Sequence, residues 1–224
     1  MLNKTILIPT EEELDLAKDI LMNLLSMGAY DCLNSGCYHD RDKAFVHWME
    51  NNNMGNQGFK WNHGVTKACI ISDMLERWII KFSFEDIRYD YCEIEFENYQ
   101  KAVQEGYAEY FPATYFLERA FGINFFLQEY ADEAEEEVSD ILYAKMTDEL
   151  ICDGEDPDGE WFGDLVADAV DDIDDIYKIE ILFDEDTEFG HFLRRNNIND
   201  LHTGNFGVID GCLVIIDFSG YKGV

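Results

Sequence analysis

Basic side chains are scarce in this chain of 224 residues: 16 lysines and arginines face 48 aspartates and glutamates, for a formal net charge of −32. The shortage excludes binding to a phosphate backbone as a general mode, because counterion release requires cations on the protein. It also implies self-repulsion and little non-specific association. Long apolar runs are missing as well. No window approaches the roughly 18 consecutive apolar residues of a membrane span, so no membrane partner is expected. The opening Met1-Leu2-Asn3-Lys4 has neither the basic start nor the apolar run of a secretion leader, and the expected location is cytoplasmic. No CxxC pair occurs among the six cysteines, Cys32, Cys37, Cys69, Cys92, Cys152 and Cys212. Several sit inside apolar runs, as reduced core thiols do, and all are read as free in a reducing compartment.

Core-forming material is ample, at 47% hydrophobic and 14% aromatic residues, so disorder of the whole chain is excluded despite the charge. The acids are unevenly spread. Residues 129–188 hold 25 of the 48, with only two lysines, Lys145 and Lys178. Two readings of that stretch compete. It is a solvated acidic face, or it is a surface that binds a basic partner by imitating nucleic acid.

Periodicity predicts a helix over 10–27, where Thr10 and Glu13 have capping-box spacing and Leu14, Ala17, Leu21, Leu24 and Leu25 share a face. Residues 28–50 carry no clear pattern, and 51–58 read as a polar loop. Strands are expected at 66–72, 78–82 and 113–117, with a helix at 91–106 whose buried face would hold Ile94, Tyr99, Ala102 and Val103. The apolar run 123–130 turns abruptly acidic, and helices are expected over 134–176, interrupted at 153–159. A strand at 178–183 and a short helix at 189–196 follow. Asp210-Gly211 then marks a hairpin between 207–209 and 213–217. Strands, a helix, more strands, helices and a hairpin, in that order, suit an α+β fold of two lobes.

The most informative segment is Asn199-Asp200-Leu201-His202-Thr203-Gly204-Asn205, followed by Val214-Ile215-Ile216-Asp217-Phe218-Ser219-Gly220. An Asp and an Asn five residues apart, a hairpin, then Asp-Phe at a strand end resemble the catalytic loop and metal-binding motif of protein kinases. The chemistry needs these residue types: an acid to orient the acceptor hydroxyl, and hard oxygen ligands for magnesium. The resemblance implies that Asp200 is the base or orienter and that Asn205 and Asp217 are the metal ligands. Upstream, Trp78-Ile79-Ile80-Lys81-Phe82 places one cation in an apolar strand, which must find an anion or reach water. It resembles the kinase strand whose lysine meets ATP phosphates. Glu95 on the following helix is the partner expected for Lys81, with Glu93 and Glu97 as alternatives.

Further correspondences are looser. A glycine-rich phosphate loop would fall at 62–68, which has one glycine, so Gly64 and Thr66 are the nucleotide contacts there. The run 123–130 would be the hinge that receives adenine, with Gln128 and Tyr130 at the contact positions. Ile198 and Asn199 replace the usual histidine and arginine before the aspartate. Only Tyr221-Lys222-Gly223-Val224 follow the Asp-Phe-Ser-Gly segment, where a conventional kinase continues into a peptide-docking platform.

The expected architecture is therefore a protein-kinase-like two-lobed α+β fold. It has an N-terminal helical extension and linker (1–58), a small antiparallel N-lobe sheet with hinge (59–130), and an acidic helical insert with a reduced C-lobe (131–224). The expected function is transfer of a phosphoryl group from ATP, with magnesium, to a small-molecule or protein hydroxyl. The alternative is a catalytically silent, pseudokinase-like acidic protein that occupies a basic surface on a host protein or nuclease. The short kinase-like chain with an acidic insert also resembles small phage proteins. Cys32, Cys37, His39 and His47 match no common zinc spacing, and 153–164 fits no EF-hand register.

Overall fold

Thr10 starts the first helix as its spacing from Glu13 dictates. The Glu13 amide donates to Thr10 Oγ1 at 3.2 Å, and the Thr10 amide donates to Glu13 Oε2 at 2.7 Å, closing a reciprocal cap. The helix, α1 (Glu11–Leu24), buries Ala17, Ile20, Leu21 and Leu24. It runs into a π-type turn, Leu25–Ala29, and ends where Gly28 takes φ 94°, a left-handed value that glycine adopts without strain. The Thr10 amide is the main reason that the Glu13 carboxyl titrates below its usual range. Thr10→Ala keeps that amide but removes the hydroxyl, which accepts from the Glu13 amide and donates to Glu13 Oε2 at 2.8 Å, so it should lower stability by about 1 kcal/mol, read by urea unfolding near neutral pH. The loss should shrink in acid, because the contribution of a carboxylate with a lowered folded pKa disappears as pH falls through that pKa.

The computed structural model describes residues 4–29, 41–64, 66–84, 89–133, 187–198 and 203–220. Within them lie four α-helices, a five-stranded antiparallel sheet and a three-stranded one, so the fold is mixed α+β. Two compact units divide the chain. One comprises Ile6–Lys101 and Ala113–Tyr130; the other comprises Met1–Thr5, Ala102–Pro112 and Ala131–Val224. The predicted helices of 134–176, the strand at 178–183 and Asp200 lie outside the described residues.

The first unit is built on β1 (Phe59–His63), β2 (Lys67–Ser72), β3 (Trp78–Ser83), β4 (Thr114–Ala120) and β5 (Ile123–Glu129), in the order β1-β2-β3-β5-β4. Helix α2 (Arg41–Asn51) precedes the sheet, and α3 (Tyr91–Glu105) lies in sequence between β3 and β4. Alternation along β3 puts Trp78, Ile80 and Phe82 on one face, all essentially buried, and Lys81 on the other. Phe45 of α2 meets Phe82 edge-on at 5.6 Å. On the opposite face Phe96 of α3 meets Phe126 at 5.6 Å. Both faces are thus covered by helices, and Phe82→Ala should cost about 3–5 kcal/mol. Strand β4 carries a bulge: its register slips between Phe116 and Glu118, which turns Leu117 inward and leaves Phe116 exposed.

In the second unit, β6 (Asp132–Glu133), β7 (Phe206–Ile209) and β8 (Cys212–Ile215) form the smaller sheet in sequence order. Asp210 and Gly211, at φ 51° and 76°, make the two-residue turn with both central residues left-handed. Helix α4 (Glu188–Arg195) contributes Phe189 and Phe192 to an aromatic cluster with Tyr107, Phe111 and Phe218. Gly207 is required by space. A Cβ there would sit 2.9 Å from both the Ala131 side chain and the Asp132 carbonyl. Gly207→Ala should accordingly cost about 1–3 kcal/mol through a forced shift of β6, read by urea unfolding.

Three expectations need correction. The phosphate loop expected at 62–68 overlaps the end of β1 and the start of β2, and β1 is a polar strand that alternation in Phe59-Lys60-Trp61-Asn62-His63 barely marks. The unpatterned stretch 28–50 ends in α2. On α3 the buried face holds Cys92, Glu95, Asn98, Tyr99 and Ala102, whereas Val103 is exposed. Polar Glu95 and Asn98 occupy interior positions there, which an apolar stripe cannot reveal.

Candidate functional site

Lys81 stands in the middle of β3, between β2 and β5, with Cys69 opposite on one side and Phe126 on the other. A lysine so enclosed needs an anion within reach. It has one: Lys81 Nζ lies 2.7 Å from Oε2 of Glu95, and both side chains are largely removed from water, at 12% and 1% exposure. Glu95 projects from the second turn of α3, so the pair joins sheet to helix. Glu93 is exposed at the first turn, and Glu97 is exposed beyond it.

A second lysine, which the sequence reading did not single out, completes the cluster. Lys67, the first residue of β2, donates to Glu95 Oε1 at 2.7 Å. No spacing in the sequence marks it, because Lys67 opens its strand, where a lysine ordinarily reaches water, and only the register of β2 on β3 sets it beside Lys81. Gln128 extends the network. Its Oε1 accepts from Lys81 Nζ at 3.3 Å, and its Nε2 donates to Thr114 Oγ1 at 3.1 Å. One buried chain of polar groups therefore runs Thr114, Gln128, Lys81, Glu95, Lys67. Such a chain fixes side-chain positions because every member is costly to leave unsatisfied.

The remaining nucleotide positions of the first unit stand differently from expectation. The Gly64 amide donates to the Lys67 carbonyl at 2.8 Å, closing the β1–β2 hairpin, so it is not turned outward to a phosphate. Gly64 also has open space where a Cβ would project, so no close backbone approach selects glycine there. Thr66 lies in the same turn, half-buried, with its carbonyl accepting from the Phe84 amide at 2.9 Å. Gln128 pairs with Ile79 on one side and Thr114 on the other. It is interior to the sheet, so its backbone cannot serve as an adenine hinge. Tyr130, just past β5, is exposed, and its amide donates to the Arg77 carbonyl at 2.8 Å.

In the second unit the β7–β8 hairpin brings the two predicted metal ligands, Asn205 and Asp217, toward one end. Phe206 pairs with Ile215, and the Ile216 amide donates to the Asn205 carbonyl at 2.8 Å, which sets Asn205 beside the residue preceding Asp217. Asn205 is buried and Asp217 half-buried. Ser219 Oγ donates to Asp217 Oδ1 at 3.2 Å, which orients the carboxylate. Phe218 is fully buried against Phe111, with centroids 4.9 Å apart, and anchors the segment. An amide oxygen and a carboxylate are a hard-oxygen pair of the kind that magnesium selects.

Cys69, Cys92 and Cys212 are free thiols. Burial pushes the Cys92 thiol well up, with the nearby Glu95 charge adding to it. In native protein at pH 8, Cys92 should react with a thiol reagent only as fast as the protein unfolds, which is read from the reagent's absorbance. Among the described residues no three His, Cys, Asp or Glu side chains cluster as a metal set, and no helix is long and apolar enough to cross a membrane. Cys32, Cys37 and His39 lie outside those residues. No family model, no curated protein and no solved structure matches this chain.

Proposed function

We propose that the chain is a protein-kinase-like phosphotransferase that binds ATP with magnesium. The observation that carries this reading is the buried Lys81–Glu95 pair. It joins the third strand of a sheet ordered β1-β2-β3-β5-β4 to a helix inserted between β3 and β4. An ammonium fixed by a carboxylate suits the oxygen of a transferred phosphoryl group, since catalysis of this transfer is mostly positioning and charge stabilisation. In this reading Lys81 meets a phosphate oxygen, and Asn205 and Asp217 hold the magnesium ion. The metal would neutralise charge developing on the phosphates, and Asp200 orients the acceptor hydroxyl.

The test is ADP formation from ATP and magnesium by purified protein. Asp200→Ala should slow it about a hundredfold or more, as loss of a positioned general base does. Equal rates in both proteins would overturn the reading. The acidic alternative predicts the opposite dependence. Neutralising Glu135-Glu136-Glu137 and Asp171-Asp172 with Asp174-Asp175 would then abolish a salt-sensitive association with a basic partner, and Asp200→Ala would leave it intact.

A further inference from the structure

The reading above needs one lysine on Glu95, and the structure has two. Lys67 pairs in register with Ser83, and Cys69 pairs with Lys81. Side chains alternate along a strand, so Lys67 and Lys81 project from the same face as diagonal neighbours, where two ammonium groups repel. Glu95 lies between them and reconciles the pair, but it treats them unequally. Its Oε1 accepts a directed hydrogen bond from Lys67 Nζ, 2.7 Å long. Its Oε2 faces Lys81 Nζ at the same distance as an ion contact without hydrogen-bond geometry, and Lys81 also donates to Gln128.

Two further ties fasten α3 to the sheet. The Cys92 amide donates to Ser83 Oγ at 2.9 Å in a buried contact. Asp90 accepts from the Glu93 amide through Oδ1 at 3.1 Å and from Asn124 Nδ2 on β5 through Oδ2 at 3.1 Å. None of these ties involves Lys81.

We propose that Lys67 is a positioning residue: it holds Glu95, and through it α3, in the engaged place whether or not Lys81 remains on the carboxylate. A buried carboxylate deserted by its only cation is strongly unfavourable. With Lys67 on Oε1, Lys81 can turn to a phosphate oxygen without leaving Glu95 in that state. The helix then stays docked before and after nucleotide arrives, and its swing is not the switch of this protein. The identity of the anion that draws Lys81 rests on the phosphotransferase reading; the anchoring by Lys67 does not.

The experiment is hydrogen exchange of the α3 amides in the full ligand-free chain, paired with calorimetric titration of ATP and magnesium. Lys81→Met should leave α3 exchange within about threefold of wild type and abolish the titration heat. Lys67→Met should speed α3 exchange about tenfold or more and weaken nucleotide binding with Lys81 intact, and Lys67→Arg should restore both. The double variant Lys67→Met/Glu95→Ala should exchange no faster than Glu95→Ala alone, because the two residues act as one tie. Wild-type protection in Lys67→Met, or equal loosening by Lys81→Met, would overturn the proposal. Should Lys67→Met fail to fold, Lys67→Gln against Lys81→Gln gives the same comparison. A wild-type protein that binds no ATP would sink the phosphotransferase reading, and the exchange data would still decide the role of Lys67.

Discussion

Glu95→Ala should lower unfolding stability by about 3–5 kcal/mol, the cost of removing one member of a buried ionic cluster. The carboxylate is fully buried and 2.7 Å from two lysines that are themselves about nine-tenths enclosed. Its removal leaves both ammonium groups on one face of the sheet without the anion between them. The change also cuts the ionic link between α3 and the strands β2 and β3, so the loss should appear in the urea midpoint and as faster exchange along the helix. Glu95→Gln should cost less, since the amide oxygen can still accept from Lys67. An alanine variant within about 1 kcal/mol of wild type would show that the lysines find equivalent partners elsewhere.

Asp217→Asn should abolish the stabilisation that ATP and magnesium confer while leaving the melting temperature of the ligand-free protein nearly unchanged. Saturation at 100 times the dissociation constant adds about 2.7 kcal/mol to the wild type, which for a chain of this size is a rise of roughly 5–10 °C. An amide in place of the carboxylate keeps the shape and keeps an oxygen for the Ser219 hydroxyl, but it removes the charge that magnesium requires. The variant therefore separates metal binding from folding. An undiminished shift in Asp217→Asn would remove that residue from the metal site.

What was legible in the sequence was local or periodic. Thr10 and Glu13 announce their cap by spacing, and Asp210-Gly211 announces its turn because both central residues need positive φ. Lys81 was visible as a cation in an apolar strand, and Glu95 as a carboxylate on the helix that follows. Lys67 was not, because only the register that sets Cys69 opposite Lys81 puts Lys67 on the same face. Gln128 was misread for a related reason. An apolar run before an acidic stretch looks like a chain leaving a sheet, and only pairing on both sides reveals an interior strand. Strand β1 escaped notice because it is polar and half-exposed. Val103 was misplaced because the interior positions of α3 are taken by Glu95 and Asn98, whose polarity breaks the stripe.

The bulge in β4 bears on how copies of this chain tolerate crowding. Among the described residues β1 and β4 are the edge strands of the five-stranded sheet, and an edge strand is where a second chain adds its own strand and growth into fibrils begins. On β4 the slip at Leu117 breaks the even spacing of amide and carbonyl groups, so no straight strand can pair along its whole length. Glu118 and Arg119 follow at once, and on β1 the outward residues are Lys60, Asn62 and His63. An extruded neighbour would meet a kinked ladder on one side and a charged one on the other. Deleting Leu117 would straighten the β4 edge while Glu118, Arg119 and Ala120 keep their partners Phe125, Asn124 and Ile123; the expected result is loss of the protein to thioflavin-positive aggregate under conditions where the parent chain stays clear.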